Sequence, residues 1–317
     1  MKITEHIRKA EGPIISLEIL PPTKGKSIDS IFNLLDPFME FKPSFVNVTY
    51  HRAEQMYKKR ADGSFERVEI RKRPGTVGIC AAIINRYKID AVPHLICGGF
   101  SKEETENALI DLHFLGVNNV LALRGDAAAN EKSFVPHPLG HRYASDLIKQ
   151  IKDLNNGKYL EDDIMDGGNT DFCIGVAGYP EKHFEAPNLA TDISHLKHKM
   201  ELGADYVTTQ MFFNNKHYYD YIASCREHGV TATIIPGLKP ITGRRQLSII
   251  PSTFNVEIPF ELSKELQAAK TDADCERIGE EWLLYQCQDL LKNNAPVLHF
   301  YTLGKPHIIH NVLKRLF

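Results

Sequence analysis

Apolar residues recur along this chain in short runs that end abruptly in polar residues or glycine, and the runs alternate with stretches of helical apolar spacing. A short continuous apolar run suits a strand buried on both faces, whereas apolar positions three and four apart suit an amphipathic helix. The clearest run is Val120-Leu121-Ala122-Leu123, which breaks into Arg124-Gly125-Asp126. Residues 14–20, 45–50, 91–97, 172–178, 204–210, 231–235 and 297–302 are the other strand candidates; Pro21-Pro22 stops the first and Pro236-Gly237 the one at 231–235. Helical spacing covers residues 27–40, 76–87, 143–154, 191–202, 215–228 and 307–317, with one longer helical region over 242–288. Ser101 followed by Glu104 is a capping-box pattern that opens a further helix, stopped by Gly116.

Strand and helix thus alternate eight times, and the most economical closure of eight such units is an α/β single domain over residues 1–317, a (β/α)8 TIM barrel with loop insertions near 51–75 and 155–171. An open doubly wound sheet is the competing arrangement. Neither G-x-G-x-x-G nor a P-loop occurs, which argues against a Rossmann nucleotide site.

Composition narrows the function classes. A chain of 317 residues, 43% hydrophobic, can bury a sizeable core. A formal net charge of -2 with mixed signs gives no global signature of a nucleic-acid or membrane partner. The six cysteines are scattered, with no C-x-x-C pair, and read as reduced core residues of a cytoplasmic protein. Residues 1–12 lack the apolar core of a signal peptide, and the apolar run at 79–84 is too short to span a bilayer.

On the barrel reading, Glu18, Thr49, Tyr50, His94, Arg124, Asp126, Tyr179, Gln210 and Tyr301 fall at or just past strand C-termini and share one rim, the end where barrels carry their chemistry. Singly each has a plain account, such as a surface turn for Arg-Gly-Asp or a buried threonine satisfying the backbone. Together they are charges that are costly in a core and useful in a cleft. A metal centre on Glu18, His94 and Asp126 lacks an H-x-H pair or a carboxylate ladder, so no metal is expected. Covalent catalysis has no strand lysine or paired cysteine to support it. Asp192, His195 and Lys199 share one helix face, with His198 close by. A solvated face explains that as well as a cationic edge meeting a phosphate does.

A longer set of motifs carries a resemblance. Ser16-Leu17-Glu18-Ile19-Leu20-Pro21-Pro22, residues 45–50, Pro93-His94-Leu95, Ala122-Leu123-Arg124-Gly125-Asp126, Tyr143-Ala144-Ser145-Asp146, Gly178-Tyr179-Pro180-Glu181-Lys182-His183, Thr209-Gln210-Met211-Phe212-Phe213, Pro236-Gly237 and His299-Phe300-Tyr301-Thr302-Leu303 resemble, in order, the 5,10-methylenetetrahydrofolate reductase family. The resemblance implies a flavoprotein barrel that uses FAD to pass a hydride from NADH or NADPH to 5,10-methylenetetrahydrofolate, by a ping-pong cycle, giving 5-methyltetrahydrofolate for methionine synthesis. With no identifiable 2'-phosphate site, NADH is the expected donor. Family members tend to form homo-oligomers. The alternatives are a flavin-free pterin barrel of one-carbon transfer and a folate-binding protein that has lost its chemistry.

Carried over by position, Glu18 is implied as the general acid, which acts near neutral pH if burial raises its pKa. Asp126 is implied as the carboxylate that meets the pterin near the flavin. Thr49, Tyr50, His94, Arg124, Gly125, Asp126, Tyr143, Ala144, Tyr179, His183, Ala186, Asp192, His195, His198 and Lys199 match flavin-contacting positions, and Gln210, Gln246 and Lys305 match substrate contacts. His195 and His198 replace asparagine and arginine, Lys305 replaces an arginine that grips the folate, and an aromatic position near Ile250 is aliphatic. The stretch 51–75 is longer than in the family, with eight basic residues (Arg52, Lys58, Lys59, Arg60, Arg67, Arg71, Lys72 and Arg73) against four acidic ones. It is expected either to hold a polyglutamate tail or to close over the site, unless it is simply solvated. No regulatory domain that binds adenosylmethionine is expected.

Overall fold

The computed structural model describes every residue except 128–130, 132, 165 and 166, and of Gln55 only the backbone. Residues 165 and 166 belong to the insertion read at 155–171 and lie outside the described residues. Eight parallel strands close a barrel in chain order: β1 (Ile14–Ile19), β2 (Phe45–Val48), β5 (Asp90–Ile96), β6 (Asn119–Leu123), β7 (Cys173–Gly178), β8 (Tyr206–Met211), β9 (Thr233–Leu238) and β10 (Val297–Tyr301), which returns to β1. Closure excludes the open sheet.

Helices α2 (Asp29–Leu35), α3 (Thr76–Tyr87), α4 (Lys102–Phe114), α5 (Ala144–Asn155), α6 (Leu189–Glu201), α7 (Asn215–Glu227), α10 (Asp272–Lys292) and α11 (Pro306–Leu316) accompany these strands. The main core lies between strands and helices, where Leu17, Val46, Ala122, Ile174 and Leu298 meet Leu109, Ile148, Leu196 and Val312. The capping box on α4 forms as its spacing predicts, with the Glu104 amide donating to Ser101 Oγ at 3.1 Å and the Ser101 amide to Glu104 Oε2 at 2.8 Å.

A short helix, α1 (Ile3–Lys9), closes the N-terminal end of the barrel. Ile3 is wholly buried against Ile14, Phe45, Val92, Leu121, Tyr206, Ile235 and Val297. The chain's amino group and His6 Nε2 hold Asp90 at 2.9 Å and 2.7 Å, and the Ile3 amide donates to Asn119 Oδ1 at 2.8 Å. With that end stoppered, the barrel interior opens at its C-terminal mouth.

Three expectations need correction. The polar stretch at 51–75 is not a plain loop: β3 (Glu54–Lys59) and β4 (Phe65–Ile70) pair antiparallel outside the barrel. The turn is carried by Asp62, whose carboxylate accepts the Ser64 amide at 2.9 Å, and by Gly63 at φ +86. The helical region at 242–288 is three helices, α8 (Gln246–Phe254), α9 (Phe260–Ala268) and α10. Asn255 in the left-handed region ends the first, Pro259 precedes the second, and a Thr271/Asp274 capping box starts the third.

The strand at 231–235 does not stop at Pro236-Gly237 but runs on to Leu238. The ladder between β8 and β9 is irregular between Thr208 and Met211, which is where a proline without an amide proton is tolerated. Gly237 donates its amide to Thr209 Oγ1 at 2.9 Å. A Cβ on Gly237 would lie 2.3 Å from the Thr209 carbonyl and 2.7 Å from the Tyr301 ring. Gly237→Ala should therefore lower the unfolding free energy by about 3 kcal/mol. Urea denaturation checks this, and an unchanged midpoint would show that the close approach of β8, β9 and β10 tolerates a methyl group.

Candidate active site

Inward-facing residues alternate along each strand, so every second position continues one file toward the mouth. At the floor these files are apolar: Ile14, Phe45, Val92, Leu121, Ile235 and Val297. Two residues further on they read Ser16, Asn47, His94, Thr208 and His299, all buried. The top layer holds Glu18, Thr49, Gln210 and Tyr301. Glu18, Thr49, Gln210 and Tyr301 share the C-terminal rim, with His94 one layer below, above a mainly apolar floor.

Glu18 is the centre of this layer. Its Oε2 lies 3.4 Å from His94 Nε2 and 3.7 Å from His299 Nε2, and its side chain is 15% exposed. Ser16 and His299 Nδ1 are 2.9 Å apart, which fixes the imidazole so that Nε2 turns to the carboxylate. Both Nε2 atoms are shielded and make no hydrogen bond, as do Thr49 Oγ1 and Thr208 Oγ1. Such buried polar atoms are unusual in the absence of a ligand and are what a binding cavity presents.

The expectation of a raised Glu18 pKa holds for burial alone and is overturned for the net shift. Burial does push it up, but the nearby His94, His299 and Lys239 outweigh that and leave it below the ordinary carboxylate range. His94 is driven the other way, toward the neutral imidazole, because burial outweighs the pull of Glu18. His299 and Lys239 are neighbours of Glu18 that the sequence reading did not single out. His299 was detectable by period two from Tyr301; Lys239 was hidden because β9 was ended three residues early.

The remaining candidates lie around this centre. The Arg124 guanidinium grips both Glu185 oxygens, at 2.5 Å and 3.0 Å, and lies over the Phe134 ring at 5.0 Å. Gly125 turns at φ +83 against Ile96, and Asp126 beyond it is exposed. Tyr50 packs edge-on against Phe100 and lies under Arg71. Tyr179 meets His183 edge-on at 4.7 Å; the His183 amide donates to Asp192 at 2.9 Å, and Ala186 is buried behind them. Lys199 on α6 reaches back to donate to the Ala177 carbonyl at 3.0 Å, whereas His195 and His198 on the same helix are exposed. Tyr143 caps the start of α5, with Ala144 as its first residue.

Of the implied substrate contacts, Gln210 uses Oε1 to accept the following Met211 amide, and Gln246 accepts the Thr242 amide. Lys305 pairs with Glu276, which also holds His307 at 3.0 Å. Ile250 is buried in α8. Among the described residues, one group of metal-ligating side chains lies outside this set: Glu181, His217 and Glu257. There His217 Nδ1 stands 3.2 Å from Glu181 Oε1, tying the loop after β7 to the first turn of α7. No helix among the described residues is long and apolar enough to cross a membrane.

Comparison with known proteins places this geometry. Residues 2–317 match the family model described as methylenetetrahydrofolate reductase. The chain is 29% identical over 314 residues to a protein of Caenorhabditis elegans named probable methylenetetrahydrofolate reductase (NADPH), covering 98% of this chain and 43% of that one. It is 27% identical over 318 residues to the 5,10-methylenetetrahydrofolate reductase of Escherichia coli, covering 99% and 94%. It thus spans about half the length of eukaryotic relatives and nearly the whole of a bacterial one. A solved protein of Clostridium thermocellum, described as binding two copies of 5-methyl-5,6,7,8-tetrahydrofolic acid, shares the fold with a TM-score of 0.58 at 14% identity, over 99% of this chain and 100% of that one. On the strength of a family match that runs through every barrel strand, the chain belongs to the methylenetetrahydrofolate reductase family.

Proposed function

We propose that this chain reduces 5,10-methylenetetrahydrofolate to 5-methyltetrahydrofolate with electrons from NADH or NADPH, using FAD and taking its two substrates in turn at one site. The observation that carries the reading is a carboxyl group, Glu18, facing two shielded imidazoles inside the barrel mouth of a chain of this family.

The residues fit a flavin dinucleotide. The unpaired Thr49 Oγ1 offers a polar partner at the mouth, and Gly125, at φ +83, lets the chain turn there after β6. Arg124 and Lys199 supply positive charge for a diphosphate. Tyr50, Tyr143, Ala144, Tyr179, His183 and Asp192 would complete its surroundings, with His195 and His198 at the exposed edge. Bound FAD would supply a two-electron carrier that accepts hydride from the nicotinamide and delivers it to the folate.

The chain's own residues do the rest. Glu18, which must take up a proton before this step, passes it to the folate nitrogen so that the methylene bridge opens to an iminium cation, and is left as the carboxylate its neighbours favour. Ser16 and His299 hold the donor in place. Asp126 sets a negative charge near that cation. Gln210, Gln246 and Lys305 orient the substrate, and for this Lys305 exchanges its partner Glu276 for the ligand.

Lys199 supports a site for an anionic ligand. Its ammonium is drawn out of water onto a single carbonyl, and burial lowers its pKa to about 8, against the weaker pull of Asp192. Because the folded-state pKa lies below the unfolded one, the cost is present below pH 8 and fades as pH rises toward the unfolded value. Lys199→Met should therefore stabilise the ligand-free protein at pH 7 by about 2 kcal/mol, the gain shrinking above pH 8, while weakening FAD retention. Denaturant unfolding at pH 7 and pH 10 checks the sign; a destabilised variant at pH 7 would mean that the lysine serves the fold.

The central test is the visible spectrum of the purified protein under anaerobic conditions, first with NADH and then with methylenetetrahydrofolate. Flavin absorbance that bleaches and then recovers is expected. Glu18→Gln should keep the bleaching and slow the recovery at least about 100-fold. Equal loss of both steps would remove Glu18 from the role of donor.

The hairpin β3–β4 deepens the substrate assignment. Arg52, Arg60 and Lys72 pair with Glu131, Glu66 and Glu54, and Arg71 and Arg73 are engaged with the Tyr50 ring and the Pro21 carbonyl. Lys58, Lys59 and Arg67 remain exposed near its tip and are placed to meet a polyglutamate tail. Changing these three to glutamate should raise KM for polyglutamyl folate about tenfold and leave the monoglutamyl form unaffected. Equal KM changes for both forms would rule this out.

A further inference from the structure

Lys239 follows β9 and is 8% exposed, a lysine inside the barrel mouth. Strand register fixes its level. Glu18 is paired with Tyr301, and Phe300 with Leu238, so Lys239 stands beside Tyr301 in the layer that holds Glu18. Period two along β9 turns it to the same inner face as Ile235 and Gly237. Its ammonium donates to the Leu303 carbonyl. One carbonyl leaves a buried ammonium mostly uncompensated, and the carboxylate in its layer is Glu18.

We propose that Lys239 is a positioning residue for Glu18: its ammonium is the counter-charge that sets the pH at which the Glu18 carboxyl holds its proton. This rests on reading Glu18 as the proton donor. The groups facing that carboxyl are His94 from β5, His299 and Tyr301 from β10, His51 after β2, and Lys239. Burial drives His94 and His51 toward the neutral form. Lys239, lowered by burial to about 8, keeps its proton at pH 7. A neighbouring cation favours the carboxylate, so removing it raises the Glu18 pKa, and the effect fades above pH 8 as Lys239 itself becomes neutral.

The test reads the carboxyl directly. Infrared difference spectra of the purified protein are recorded across pH, with Glu18→Gln identifying the Glu18 band, for the wild type, Lys239→Met and Lys239→Arg. In Lys239→Met the protonated band should persist about one pH unit higher than in wild type, while Lys239→Arg titrates close to wild type. The fall of folate reduction with rising pH should move by the same amount, with kcat changing more than KM. Where Lys239→Met fails to fold, Lys239→Gln gives the same readout with a donor kept toward Leu303. An unmoved Glu18 titration in the charge-removed variant overturns the proposal whatever turnover shows. A moved titration in a protein that reduces no folate would leave the coupling intact and remove the reading of Glu18 as donor.

Discussion

Everything at the mouth depends on keeping an ionisable carboxyl inside a parallel barrel. Withdrawing a carboxylate from water costs several kcal/mol even after the protein relaxes around it, and hydrogen bonds or opposite charges must offset that cost. Glu18 is offset from three other strands: His299 on the adjacent β10, and His94 on β5 and Lys239 after β9, each two strands from β1. None of these partners is near Glu18 in sequence. Only the closed barrel, which returns β10 to β1, brings them together.

The same constraint explains why the two ends of the barrel differ. The floor is apolar and stoppered by α1, whose Ile3 packs into the interior and whose flanking charges meet Asp90. A dry floor lowers the local dielectric and strengthens every electrostatic interaction in the layer above it. Burial and charge then act in opposition on each group: His94 is pushed toward neutrality, Lys239 toward releasing its proton, and Glu18 is held ionised against its own burial. The layer therefore holds Glu18 toward its carboxylate form, with the favourable charge drawn from these neighbours.

Most of the architecture was legible in the sequence because it rests on local signals. The apolar run Val120 to Leu123 is a strand, the Ser101/Glu104 box caps a helix, and residues 76–87 are the helix their spacing predicts. The errors share one cause, punctuation residues read without their tertiary setting. Pro236-Gly237 looks like a stop, yet the irregular β8–β9 ladder accommodates it and the strand continues. Asp62-Gly63 is a hairpin signal that was absorbed into a long charged loop. The rim residues could be grouped because strand ends are visible in sequence. The sign of the Glu18 shift could not, since it depends on charges from strands remote in the chain.

The missed end of β9 and the missed lysine are one error with one physical origin. Gly237 lets β9 pass within contact of the Thr209 carbonyl and the Tyr301 ring, where any Cβ would clash. The strand can then extend past Pro236 and carry position 239 into the layer of Glu18. Had the chain turned away at the proline, the lysine would have emerged into solvent, where an ammonium needs no counter-charge and exerts little pull on a buried carboxylate. A glycine with no chemistry of its own thus decides whether a cation reaches the site. Backbone approach, more than side-chain identity, sets the electrostatics around Glu18.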